Sequence, residues 1–305
     1  MSKFLKKTIS FVLLIVLTYI SLGFLADGYT DPFYLRFTSS KQKSLIIGTS
    51  RAAQGILPAI LNSKLDSNYY EAPLFNYAFT VLHSPFGEVY FNAIEKKIDK
   101  ATKDGLFIIT VDPWSISVRT DAKTLREEEL ELSKISIFEG YPNYDYLINA
   151  YDKSMFNLIL NKFSKSKEMF LHKNGWLEVT LNISPEIVEK GSLEKLKNYK
   201  KQLSIYKISN YRLQFLNKTI ELCNKYGKVI LVRIPTDNRM REIENILYLN
   251  FNNQMKKIAN RYAIKFIDYK DENYIFPDAN HLYKESGKKF TEKLANDINK
   301  LFVND

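Results

Sequence analysis

The chain has three histidines, and one of them, His281, stands three residues after Asp278 in the stretch FPDANHL, just ahead of the last helical pattern. That spacing lets the carboxylate accept from one ring nitrogen while the other faces a substrate or nucleophile, as a general base requires. Such a base needs something to activate. Ser50, in KSLIIGTSRAAQG, sits where an apolar run ends in Gly48 and a helical pattern begins. A serine at such a turn is either an N-cap or a nucleophile whose own N–H helps hold an oxyanion, because the first amides of a helix have no partner within it. Taken together, Ser50, His281 and Asp278 are the residue types of an acyl-transfer site, with His281 taking the serine proton and Asp278 orienting the imidazole. The serine motif is not the G-x-S-x-G elbow, since Ala52 stands where its second glycine would be.

These residues must be carried to one place by the elements around them. Five short apolar runs, in KSLIIGTS, APLFNYAF, GLFIITVDP, GKVILVRIP and AIKFIDY, alternate with longer helical stretches such as NYRLQFLNKTIELCNKYG and REIENILYLNFNNQMKKIANRY. Strands alternating with helices predict a parallel sheet covered on both faces, that is, a flavodoxin-like three-layer α/β/α sandwich of roughly five strands. The alternation lapses from about 119 to 209, a segment rich in Tyr, Asn and Lys that reads as a helical insertion flanking one end of the sheet. Ligands of open parallel sheets gather at the carboxyl ends of the strands. On that edge Asn76, Asp112 and Trp114 could donate to or shape an acyl site, and Arg51 and Arg233 could bind a carboxylate or sugar hydroxyl, with turn residues and a structural ion pair as the alternatives.

The two end motifs, LIIGTSRAAQG and FPDANHLYKESGKKF, resemble those of the SGNH/GDSL hydrolase superfamily, over a span from about residue 44 to the C-terminus with the insertion set aside. The resemblance implies Ser50 as nucleophile and an Asp-x-x-His motif made of Asp278 and His281. It also implies two further oxyanion donors. In the second-strand position the backbone of Phe79 or Thr80 stands in for the family glycine, and after the third strand VDPWS has no asparagine. Membrane-anchored members of this superfamily modify cell-surface polymers. The activity implied is therefore that of a serine esterase or O-acyltransferase acting on acyl, foremost acetyl, esters of an envelope glycan, with no metal or organic cofactor. A different class of reading is a silent scaffold that presents glycan to an integral membrane O-acyltransferase, and the incomplete oxyanion set motivates it.

Anchoring is written at the start of the chain. Residues 1–7 carry Lys3, Lys6 and Lys7, and 8–26 is uncharged. Nineteen residues rise roughly 29 Å as a helix, close to the hydrocarbon thickness of a bilayer. Positive charge before the span and Asp27 after it predict a single-pass anchor in the cytoplasmic membrane, with a cleaved secretory signal as the competing reading, a connector at 27–42, and an extracytoplasmic (periplasmic) domain at 43–305. The net charge of +10 is spread over the whole chain, and no nucleic-acid-binding motif accompanies it. The lone Cys223 excludes a disulfide within the chain and reads as the buried face of a helix, while His83 and His172 read as surface residues.

Overall fold

The computed structural model describes residues 1–164, 168–270 and 274–304. In chain order, α1 (Ser2–Gly23) precedes β1 (Ser44–Ile47), α2 (Ser50–Gly55), α3 (Pro58–Lys64), β2 (Leu74–Asn76), α4 (Glu88–Lys97) and β3 (Gly105–Thr110). The insertion follows, with β4 (Ser117–Arg119), α5 (Tyr144–Asn149), α6 (Phe156–Ser164), β5 (Met169–Leu171), β6 (Leu177–Val179), α7 (Pro185–Gln202) and β7 (Tyr206–Ile208). The chain then returns to the sheet through α8 (Asn210–Asn224), β8 (Gly227–Arg233), α9 (Asn238–Leu247), α10 (Phe251–Arg261), β9 (Lys265–Asp268) and α11 (Lys284–Asn304).

The five apolar runs form one parallel sheet in the order β2-β1-β3-β8-β9. Every residue of β1 and β3 is buried, which is why those strands read as unbroken apolar runs rather than alternating ones. Because parallel crossovers are right-handed, the leftward step from β1 to β2 puts α2 and α3 on one face, and the rightward steps put α4, α8 and α10 on the other. Helix α11 packs on α2 and α3, completing the first layer, and α4 packs on α8 in the second. The expected three-layer sandwich is the observed architecture.

Three details differ from expectation. The insertion is not simply helical: it leaves and returns through an antiparallel pair, β4 with β7, and carries a second antiparallel pair, β5 with β6. The stretch read as one helix over 241–262 is two, α9 and α10, broken at Tyr248, whose φ of −153° leaves the helical region. The break lets Glu244 of α9 and Asn252 of α10 both reach Arg233. The N-terminal helix also starts and stops earlier than the uncharged run, spanning Ser2–Gly23, and is long and apolar enough to cross a membrane.

Candidate active site

Ser50 lies just past the carboxyl end of β1, at the first position of α2, with Thr49 rather than Ser50 as the N-cap. Gly48 makes this turn possible. Its φ is +151°, and a side chain there would strike the Thr110 hydroxyl of the neighbouring strand. Freed from capping, the Ser50 hydroxyl lies 2.8 Å from His281 Nε2. On the other side of the ring, Nδ1 lies 2.8 Å from Asp278 Oδ2.

The loop that delivers this pair is tightly determined. Asp278 Oδ1 accepts the backbone N–H groups of both Asn280, at 3.1 Å, and His281, at 2.9 Å. To close that turn Ala279 adopts φ +60°, an uncommon conformation for a residue with a Cβ, and buries its methyl against Trp114, Leu196, Met240 and Ile243. The insertion contributes as well: Lys195 of α7 places its ammonium 3.3 Å from Asp278 Oδ2. Helix α7 can come this close because Gly191 faces the Pro277 carbonyl, where a Cβ would be 2.9 Å away. Burial pushes the Asp278 carboxyl up, but His281, Lys195 and the backbone N–H outweigh it and hold the group well below the usual carboxylate range. The carboxylate is thus ionised and fixed, which is what stabilising an imidazolium requires.

Asn280 is the residue that sequence reasoning missed, although it stands inside the quoted motif. Its Oδ1 accepts two hydrogen bonds from Arg51, from Nε at 3.1 Å and Nη2 at 2.7 Å. That fixes the orientation of the amide, so it is Nδ2 that lies 3.1 Å from His281 Nε2. An N–H donor directed at Nε2 favours the tautomer in which Nδ1 carries the proton toward Asp278 and Nε2 is left as the base.

Several residues expected to bind substrate turn out to be the scaffold beneath the site. Arg51 and Arg233 are both buried and share Glu244, which is fully buried, with contacts of 2.6 and 2.7 Å. Burial pushes the Glu244 carboxyl up, yet the two guanidinium groups outweigh it and keep it below its ordinary value. Neither arginine is available to a ligand. Asn76 is fully buried too, and its amide donates to the carbonyls of Ala52 and Ile56, tying α2 to β2. Asp112 is buried and accepts from Thr49 Oγ1 at 3.3 Å and Ser115 N at 2.9 Å, and desolvation raises its carboxyl pKa. Trp114 is buried edge-on to Tyr199 and Tyr206.

The proposed oxyanion donors divide. The Phe79 N–H is spent on the Gly48 carbonyl at 3.2 Å and its ring is buried among Phe33, Phe37 and Tyr77, so Phe79 cannot serve. Thr80 stays half-buried, its hydroxyl 2.5 Å from His83 Nδ1. Among the described residues, no acceptor meets the N–H of Ser50, Arg51 or Thr80. These are the amides free to hold a developing negative charge. His83 is less exposed than expected, lies against Phe33, and is pushed by burial toward the neutral form. His172 pairs across its hairpin with Glu178 at 2.9 Å, and Cys223 is buried as expected.

A cavity of about 480 Å³ opens on the same edge of the sheet, lined by His83, Trp114, Arg119, Arg126 and Tyr206 among others. Neither Ser50 nor His281 lines it, so it flanks the triad rather than containing it.

No protein-family profile matches the chain, and no curated protein matches it. Among solved structures it is similar to Est24, a carbohydrate acetylesterase from Sinorhizobium meliloti, at 10% identity and a TM-score of 0.39, over 85% of this chain and 100% of that one. At that distance, the chemistry of the site rests on its own geometry.

Proposed function

We propose that the protein is a membrane-anchored serine esterase or O-acyltransferase that works through an acyl-enzyme on Ser50. The single observation that carries this reading is the unbroken chain from Ser50 Oγ through His281 to Asp278, with 2.8 Å at each link. In the first half-reaction Ser50 Oγ attacks an ester carbonyl as His281 Nε2 takes its proton. The tetrahedral oxyanion is held by the free amide of Ser50 with that of Arg51 or Thr80, and the alcohol leaves with the proton from His281. In the second, water or a sugar hydroxyl gives its proton to His281 and attacks the acyl carbonyl, and His281 returns the proton to Ser50 Oγ as the acyl group departs as the free acid or the new sugar ester. The substrate class proposed is an O-acylated, foremost O-acetylated, envelope glycan, in line with the superfamily that the two end motifs resemble. Helix α1 would hold the domain on the outer side of the cytoplasmic membrane, since its lysines precede the apolar span.

The test is hydrolysis of p-nitrophenyl acetate by the full chain in detergent beside Ser50→Ala and His281→Ala. Activity abolished in both variants at unchanged melting temperature is the expected result. Equal rates in all three would leave the scaffold reading in its place, with an integral membrane acyltransferase as the partner to seek.

A further inference from the structure

Helix α6 faces two ways. Leu158 is buried in the domain, and Asn161 Nδ2 donates to the Thr30 carbonyl at 3.4 Å, so that side is docked. A surface helix ordinarily turns polar residues outward on the opposite side. Here the outward stripe is Phe156, Leu160 and Phe163, spaced i, i+4, i+7, with relative exposures of 59%, 46% and 83%. Three large apolar side chains in one stripe mark a contact surface rather than a solvated face.

Its position says what covers it. Helix α6 packs against α1, and Lys162 Nζ pairs with Asp27 Oδ2 at 2.9 Å, four residues beyond the end of α1. The neighbouring segment grips the same end: Tyr144 Oη donates to the Ile20 carbonyl at 2.6 Å, and Tyr141 Oη lies 2.9 and 2.8 Å from the carbonyls of Phe24 and Ala26. Tyrosine, apolar in the ring and polar at the tip, is the residue type that settles at the headgroup level of a bilayer. The outer surface of α1 is itself bare, with Leu13, Leu14 and Leu17 exposed. The apolar stripe of α6 is therefore carried by a helix that packs directly on the apolar α1.

We propose that α6 lies in the phospholipid bilayer surface, with Phe156, Leu160 and Phe163 inserted at the boundary between headgroups and acyl chains. This gives the domain a second attachment beside α1 and restricts its tilt, so that the edge of the sheet bearing Ser50 is held in one orientation to the membrane. The inference rests on α1 being a membrane span and not on the catalytic reading.

The experiment uses the full chain in nanodiscs of phosphatidylcholine and phosphatidylglycerol, spin-labelled at single substitutions Phe156→Cys, Leu160→Cys or Phe163→Cys. Cys223 is buried and escapes the label. Leu14→Cys in α1 and Lys257→Cys, exposed on α10, serve as lipid and water references. The proposal expects the three stripe labels to collide severalfold more with oxygen, relative to a water-soluble nickel chelate, than the Lys257 label does. Stripe labels as open to nickel as Lys257, while Leu14 remains in lipid, would overturn it. Labels shielded from both reagents would overturn it in favour of a covering protein. An aqueous Leu14 label would remove the span on which it depends, leaving the esterase reading to its own assay.

Discussion

Ser50 and Arg51 are consecutive residues that serve opposite kinds of network. At 3.6 residues per turn, α2 points one hydroxyl toward His281 at the surface and the next side chain into a sealed cluster with Glu244 and Arg233. The triad has one open end, the serine oxygen, and its members are partly accessible. The cluster has none, because Arg51 and Arg233 share the Glu244 carboxylate and all three are buried. An open network can lose a member with little damage to the fold, since water takes the vacated place. A closed one leaves an uncompensated charge in a region of low dielectric, where the cost is high. Asn280 joins the two, accepting from Arg51 on one side and facing His281 on the other. Activity and stability should therefore separate by mutation, except at Asn280 and at Asp278, whose carboxylate is held by charge partners in the fold.

The largest effect belongs to the open network. Ser50→Ala is expected to lower ester hydrolysis by about 10⁶-fold, with no change in melting temperature; a variant that unfolds instead would erase the distinction. Asp278→Asn should cost about 10⁴-fold, and it carries a pH signature. The native carboxyl is held below its unfolded value of about 3.9, so its contribution to stability is present above that pH and is lost as pH falls through the lower native value. Unfolding of wild type and Asp278→Asn compared across pH should show a gap at neutrality that begins to narrow below about pH 4 and closes only as pH falls through the lower native value.

The closed network answers in stability. Glu244→Gln leaves Arg51 and Arg233 facing each other without their shared carboxylate, and about 3 to 5 kcal/mol should be lost in denaturant unfolding. A loss under 1 kcal/mol would mean that water reaches the cluster. Asn280→Ala is the smallest and most informative change. Losing one oriented hydrogen bond should lower kcat by about tenfold with KM unchanged, whereas a purely structural asparagine would lower the melting temperature and spare kcat in the folded fraction.

What could be read from the chain follows the same division. The sheet was legible because central parallel strands, buried on both faces, leave contiguous apolar runs such as LIIG and FIIT in β1 and β3. Ser50, Asp278 and His281 were legible because local rules govern them: a glycine turn after a strand, and an aspartate and histidine three apart in one loop. Arg51 and Arg233 were visible as charges at strand ends, but their shared partner Glu244 lies on α9, in a stretch whose periodicity reads as one continuous helix and hides the break at Tyr248. Nor does anything local in the insertion announce that Lys195 reaches Asp278, since only the packing of Gly191 on the Pro277 carbonyl brings α7 there. Asn280 shows the limit most clearly, because it was in plain view and its role depends on an arginine 229 residues away.

The claim on which the account stands is that Ser50 is a nucleophile activated by His281. The most direct measurement is intact-mass and peptide mapping of the full chain after treatment with a fluorophosphonate, beside Ser50→Ala and His281→Ala. The account predicts one covalent adduct on the wild-type chain, mapped to Ser50, absent from Ser50→Ala and strongly slowed in His281→Ala. A folded wild-type chain that takes no adduct, or one that takes it equally well when Ser50 is gone, would contradict it.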